Sequence, residues 1–298
     1  MSHPIDFVKM HGAGNDFIVM DARPADFPVA QVLNQIPGLC HRRTGIGADG
    51  VLLLLPSDET DYTMQYLNAD GSEAGMCGNG ARCLARFAMD RGLPAKLVFT
   101  ANQLRYRAEV FDHYVSVFFP VKPIPVVKII DGVTWFEIHS GTEHVVSIDQ
   151  EYMKAPNRFF REKGRLIRNR IDLFPVGTNV NFASILDQNR LRLVTYERGV
   201  EDLTLACGTG AIATAIARCH ARITENAQAD SEQPTIPGAP TFPEVHPQPE
   251  VNHHIQIDCP GGPLEVSFSV VREHDTPVYK NIILHGPAVT VCEGRVTL

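Results

Sequence analysis

The chain is short of basic blocks, of long apolar runs and of paired cysteines, and each shortage removes a class of function. No block of more than two consecutive Lys and Arg occurs, and 27 basic residues against 34 acidic ones leave a formal charge of −7. Nucleic acids and anionic membranes select a basic face, so neither is an expected partner. The longest purely apolar run, Val51 to Leu55, is far too short for a bilayer, which takes about 20 residues. The opening MSHPIDFVKM has no charged stretch leading into a long apolar one, so it does not read as a secretory signal. A cytoplasmic protein is expected. The seven cysteines (Cys40, Cys77, Cys83, Cys207, Cys219, Cys259, Cys292) include no CxxC pair and are odd in number. That weighs against a disulfide framework and against structural zinc. Most should be small buried residues.

What is present is mostly strand. Phe17 to Met20, Val51 to Leu55, Tyr62 to Leu67, Leu97 to Thr100, Tyr106 to Val110 and Tyr114 to Phe119 are short apolar runs bounded by turn residues. Pro120 to Pro125 reads as a linker. A second set follows at Thr134–Ile138, Val145–Ile148, Leu191–Tyr196, Ile255–Asp258, Leu264–Phe268, Lys280–Leu284 and Val289–Cys292. Helical periodicity is confined to about Gly80–Asp90, Gly210–Ala221 and, more weakly, Val29–Leu39. Thr224 to Pro249 holds six prolines and almost no periodicity, which predicts a flexible insertion over about 224–250. His246, His253 and His254 in and beside it read as solvated rather than metal-binding.

One motif occurs twice. Cys77-Gly78-Asn79-Gly80-Ala81 opens the first good helix, and Cys207-Gly208-Thr209-Gly210-Ala211 opens the second. The echo predicts two similar, mostly β halves, each aiming a helix N-terminus at a shared cleft. A helix start carries unpaired N–H groups and partial positive charge, so its Cys should ionise more readily. Two such ends facing each other form an anion site that would hold a carboxylate with its α-carbon between two sulfurs. That geometry suits inversion at an α-carbon: one thiolate removes the proton and the opposite thiol returns one. Backbone donors would stabilise the charge that builds on the carboxylate. Cys83 and Cys219, inside the helices, read as core.

At these residues the sequence resembles the diaminopimelate epimerase family. Lys9 to Phe17 (KMHGAGNDF), Gly45 to Gly50 (GIGADG), Asn68 to Glu73 (NADGSE), Met76 to Cys83 (MCGNGARC), Tyr196 to Gly199 (YERG) and Ala206 to Gly210 (ACGTG) are similar to its motifs, in its order, over most of the chain. The resemblance implies an α/β (α+β) fold of two pseudo-symmetric mostly-β domains, each a curved sheet around a central helix. The first domain would comprise 1–119 with 287–298, and the second 120–286. It implies catalysis by Cys77 and Cys207 without cofactor or metal, on a small amino-acid substrate, in a homodimer. It further implies that Asn15, Asn68, Gly78, Asn79, Asn179, Glu197, Arg198, Gly208 and Thr209 bind substrate, supported by Thr142 and His144. Amides and a charged pair suit a molecule with an ammonium and a carboxylate at each end.

Where the family usually carries Asn-Pro-His, this chain has Thr142-Glu143-His144. Thr142 offers one polar atom in place of two, and Glu143 adds a negative charge. A racemase of another amino acid on the same fold therefore stays open. So does a non-catalytic binding or thiol-redox protein, although a disulfide between the two activated cysteines reads as an inactivation hazard.

Overall fold

In the computed structural model, residues 4–231, 250–273 and 276–298 are described, the side chains of 226–231 excepted. The strands form two stretches with one pairing plan. In the first, β17 (Val289–Thr297), β1 (Pro4–Gly12), β2 (Asn15–Asp21), β3 (Gly50–Leu55), β4 (Tyr62–Asn68), β5 (Lys96–Ala101), β6 (Leu104–Val110) and β7 (Val115–Phe119) are neighbours in that order. In the second the order is β8 (Val126–Ile130), β9 (Val133–His139), β10 (Glu143–Ile148), β11 (Asn179–Asp187), β12 (Arg190–Glu197), β14 (Val251–Cys259), β15 (Gly262–Glu273) and β16 (Thr276–Gly286). The short β13 (Asp202–Thr204) adds to β12. The parallel pairs β2–β3 and β4–β5 recur as β10–β11 and β12–β14, and the other neighbours are antiparallel. β7 and β16, the last strand of each stretch, pair antiparallel with each other and join the halves.

Each half wraps a helix. α2 (Gly78–Asp90) packs against β1, β2, β6 and β7, and α4 (Gly208–Ser231) against β10, β11, β15 and β16. Ala81, Leu84, Ala85 and Ala88 of α2 share one continuous core with Ile212, Ala213 and Ile216 of α4. Outer helices cover the other sheet faces. Val32 and Ile36 of α1 (Val29–Cys40) pack on Ile18, Met20, Val51 and Leu53. Phe160 and Ile167 of α3 (Asn157–Arg168) pack on Trp135, Val145, Phe182 and Tyr196. This sandwiching explains Val51 to Leu55. Leu52 and Leu54 face α2's side while Val51 and Leu53 face α1's, so both strand faces are apolar and no alternation is visible.

Two expectations are corrected. The helix expected to end at Ala221 continues to Ser231, so the first residues of the supposed flexible insertion are helical. Glu225 to Asp230 contains good helix formers, and the first Pro comes only at Pro234. α3 was not anticipated. Its Arg- and Lys-rich face hides an apolar stripe at Phe160, Gly164 and Ile167, spaced i, i+4, i+7. The rest of the insertion, with His246, lies outside the described residues. Of its neighbours, His253 stacks on Phe268 and His254 meets Ser267 and Glu265.

Candidate active site

The two Cys-Gly motifs meet. Cys77 caps α2 in extended conformation (φ −113°, ψ 114°), and its Sγ accepts the Gly80 N–H at 3.4 Å. Cys207 Sγ accepts the Gly210 N–H at 3.4 Å in the same way. A methyl group added at Gly78 would lie 3.5 Å from Gly208 Cα, and one added at Gly208 would lie 3.3 Å from Gly78 Cα. The helix starts therefore face each other closely, and a side chain at either glycine would also meet Leu284 Cδ2 at 2.7 Å. Both cysteines are free thiols.

The surroundings of each sulfur differ. Beside Cys77, Asn15 Oδ1 lies 3.7 Å from the sulfur, and Asn15 Nδ2 donates to Asp49 at 2.6 Å. Asp49 and Asp16 hold Arg42, and Lys9 pairs with Asp16 at 2.7 Å. The KMHGAGNDF and GIGADG stretches thus form one charged cluster that fixes Asn15. Beside Cys207, Thr209 Oγ1 lies 3.5 Å from the sulfur and 2.9 Å from His144 Nε2. Glu197, at the end of β12, acts electrostatically on both sulfurs, raising the cost of ionising either one.

The remaining expected residues divide into those joined to the thiols and those apart from them. Asn79 is buried, donates to the Ala206 carbonyl at 3.0 Å and accepts from Arg82, so it staples one motif to the other. Asn179 spans Thr142 and Arg198: its Nδ2 donates to the Glu143 carbonyl at 2.9 Å and its Oδ1 accepts the Arg198 N–H at 2.9 Å. The Arg198 guanidinium pairs with the Glu143 carboxylate at 3.1 Å and donates to the Val176 carbonyl. Asn68 stands apart. Its amide donates to Ser72 Oγ at 3.0 Å in the turn after β4.

Two residues with direct ties to the motifs were not anticipated. Asn181, fully buried on β11, lies 3.0 Å from His144 Nδ1. Arg82, fully buried on α2, donates to the Gly78 carbonyl (3.2 Å), Asn79 Oδ1 (2.9 Å) and the Pro287 carbonyl (3.2 Å). Among the described residues it pairs with no carboxylate. The available signal was indirect: Gly12 and Gly286 have no side chain where one would strike the Arg82 guanidinium.

The expected ease of ionisation is corrected. Burial pushes the Cys77 thiol up to about 11, with the Gly80 N–H opposing it only in part. Burial, helped by Glu197, pushes Cys207 higher still. Loss of hydration outweighs the helix terminus at both sulfurs. Burial also drives His144 down to about 3, so its ring is neutral. The sign gives a prediction. With acid pKa values raised, the ligand-free, reduced protein carries neutral thiols at pH 7 to 9. Ultraviolet thiolate absorbance should show these two cysteines silent there and appearing only at more alkaline pH. The same residues in unfolded chain should titrate near about 8.5.

Each half thus supplies one thiol at the start of its central helix, and the two helix starts face each other. The diaminopimelate epimerase family model matches residues 7–105 and again 136–234, one match per half. The chain is 33% identical to the diaminopimelate epimerase of Alkaliphilus metalliredigens, covering 97% of this chain and 96% of that one. It is 35% identical to that of Flavobacterium psychrophilum, covering 97% and 98%. The chain belongs to the diaminopimelate epimerase family. In fold it is similar to a hydroxyproline epimerase from Agrobacterium vitis (TM-score 0.66, 15% identity, covering 99% of this chain and 91% of that one). It is also similar to a Bacillus anthracis phenazine biosynthesis protein of the PhzF family (TM-score 0.64, 14% identity, covering 99% and 100%).

Proposed function

We propose that this protein interconverts LL- and meso-diaminopimelate by a two-base route through Cys77 and Cys207, without a cofactor, supplying lysine and cell-wall precursors. The observation that carries the reading is the head-on meeting of the two cysteine-capped helix starts at Gly78 and Gly208. The substrate α-carboxylate accepts backbone N–H groups from both helices, and these donors strengthen as the carboxylate gains charge. One sulfur, as thiolate, forms an S–H bond to the α-proton as the C–H bond breaks. The electron pair moves onto the carboxylate. The opposite thiol then gives its proton to the other face of carbon and is left as thiolate, so atoms and charge balance. The bound α-ammonium places a positive charge near the sulfurs and lowers the cost of a thiolate that burial disfavours. The same reading assigns 1–119 with 287–298 to one domain and 120–286 to the other, so the reaction takes place between them.

The test is a panel of diaminopimelate isomers and free L-amino acids, run in deuterated water under reducing conditions. Diaminopimelate should be inverted fastest, with one deuterium at the inverted carbon of each product. Inversion with full retention of the original hydrogen contradicts the two-base route. Inversion of other amino acids alone contradicts the substrate.

One observation favours a second reading, racemisation of an amino acid with a single carboxylate. Glu143 already supplies Arg198 with an anion, where an incoming distal carboxylate would otherwise meet a guanidinium bound only to the Val176 and Gly177 carbonyls. On the diaminopimelate reading, Glu143→Gln removes this internal competitor. KM for diaminopimelate should then fall roughly two- to fivefold, the worth of a half-exposed pair, with kcat little changed. A KM that rises, with faster turnover of lysine by the parent protein, favours the second reading.

A further inference from the structure

The buried ring of His144 sits among partners that fix where its proton lies. Nδ1 is 3.0 Å from Asn181 Nδ2, and Nε2 is 2.9 Å from both Thr142 Oγ1 and Thr209 Oγ1. The Asn181 amide has one workable orientation. Its Nδ2 also faces the Val145 carbonyl at 3.1 Å, which can only accept, and its Oδ1 receives the Thr195 hydroxyl at 2.9 Å. Turning the amide over would set oxygen against oxygen at Val145. Nδ2 therefore donates to Nδ1, the neutral ring carries its proton on Nε2, and Nε2–H donates towards the threonine hydroxyls. Thr142 also receives Asn179 Nδ2 at 3.4 Å, and with its lone pairs taken by Asn179 and Nε2–H it has its own proton left for Thr209 at 3.2 Å. With its oxygen accepting from these neighbours, Thr209 has its hydroxyl proton left for Cys207 Sγ at 3.5 Å.

We infer that Asn181 is a positioning residue: it holds His144 in the Nε2–H form, and so gives the chain Asn181, His144, Thr209, Cys207 a fixed direction that ends in an O–H donor on the sulfur. Its kinetic consequence rests on the two-base reading above, but the proton position does not. A hydroxyl donating to sulfur favours the thiolate over the thiol. With the opposite ring tautomer, Nε2 would accept from Thr142 or Thr209, both 2.9 Å away, and so compete with the sulfur for the Thr209 proton. Asn181, His144, Thr209 and Cys207 are all buried, so protein groups set the direction of the chain. Thr142, which stands where the family usually has Asn, joins the same chain as a second hydroxyl.

The direct test is the 15N spectrum of the histidine-labelled reduced protein. A bare Nδ1 and a protonated Nε2 on His144 at neutral pH are expected. A protonated Nδ1 overturns the inference. The second arm is kinetic. Asn181→Leu and Thr209→Val should each lower kcat about tenfold, the effect of one hydrogen bond in the transition state, with KM within about twofold. The double variant should be no worse than the poorer single one, because each cuts the same chain. Fully additive losses, or a change confined to KM, overturn it. Should Asn181→Leu fail to fold, the spectrum of the parent protein and the Thr209→Val kinetics still decide. If the parent protein turns over no amino acid, the functional reading fails, while the spectrum continues to test the proton position.

Discussion

Cys77→Ser or Cys207→Ser should each reduce kcat/KM for diaminopimelate by roughly 10³ or more, the upper range of a lost general acid or base. An alkoxide is a much costlier base than a thiolate. The site is already unfavourable to charge, since burial raises both thiols. The fold should survive. Each sulfur accepts one backbone N–H, from Gly80 or Gly210, at the place where serine is a preferred helix cap. Stability measured by denaturant titration should therefore change by about 1 kcal/mol or less. The two variants should also differ in direction. Each retains one thiol, so exchange of the α-proton with deuterated solvent should persist weakly from one isomer and not the other. Equal, near-parental turnover in either variant would remove that cysteine from the chemistry.

Arg82→Leu is expected to damage stability and activity together. The guanidinium meets the Gly78 carbonyl, the Asn79 side chain and the Pro287 carbonyl, none of which is replaced by an apolar side chain. Leaving buried acceptors unpaired costs about 1–3 kcal/mol each, so a loss of several kcal/mol is expected. Arg82 is also a buried positive charge that eases ionisation of Cys77 and, among the described residues, pairs with no carboxylate. Its removal should raise the Cys77 thiol further and lower kcat/KM about 10²-fold in whatever fraction stays folded. Arg82→Lys keeps the charge and loses the fork. It should recover part of the activity and little of the stability. Full stability in Arg82→Leu would mean that the Asn79 staple to Ala206 needs no help.

The site was legible in the chain to the extent that chemistry repeats locally. Cys-Gly-x-Gly-Ala announces itself twice because a capping sulfur, a close approach and a helix start must be consecutive in sequence. Glu197 and Arg198 are adjacent but serve different neighbours. Glu197 acts on the sulfurs, while Arg198 is held by Asn179 and Glu143, a division that adjacency does not reveal. Arg82 and Asn181 went unread because their partners are remote. Pro287 is distant in sequence from Arg82, and Asn181 meets His144 only because β10 and β11 pair in parallel register. The ionisation of the thiols escapes the sequence for a related reason. The helix terminus is a local feature and visible, whereas burial is assembled from both halves. Among the outer layers, α1 could be read from its apolar spacing, but α3 hid its stripe of Phe160, Gly164 and Ile167 beneath surface arginines and lysines.

The most direct measurement is a crystal structure of the reduced protein with diaminopimelate bound. The account predicts the α-carbon between Cys77 Sγ and Cys207 Sγ, each within about 4 Å on opposite faces, with the carboxylate on the N–H groups of both helix starts. An α-carbon that lies beside one sulfur and out of reach of the other, or with both sulfurs on the same face, would contradict it.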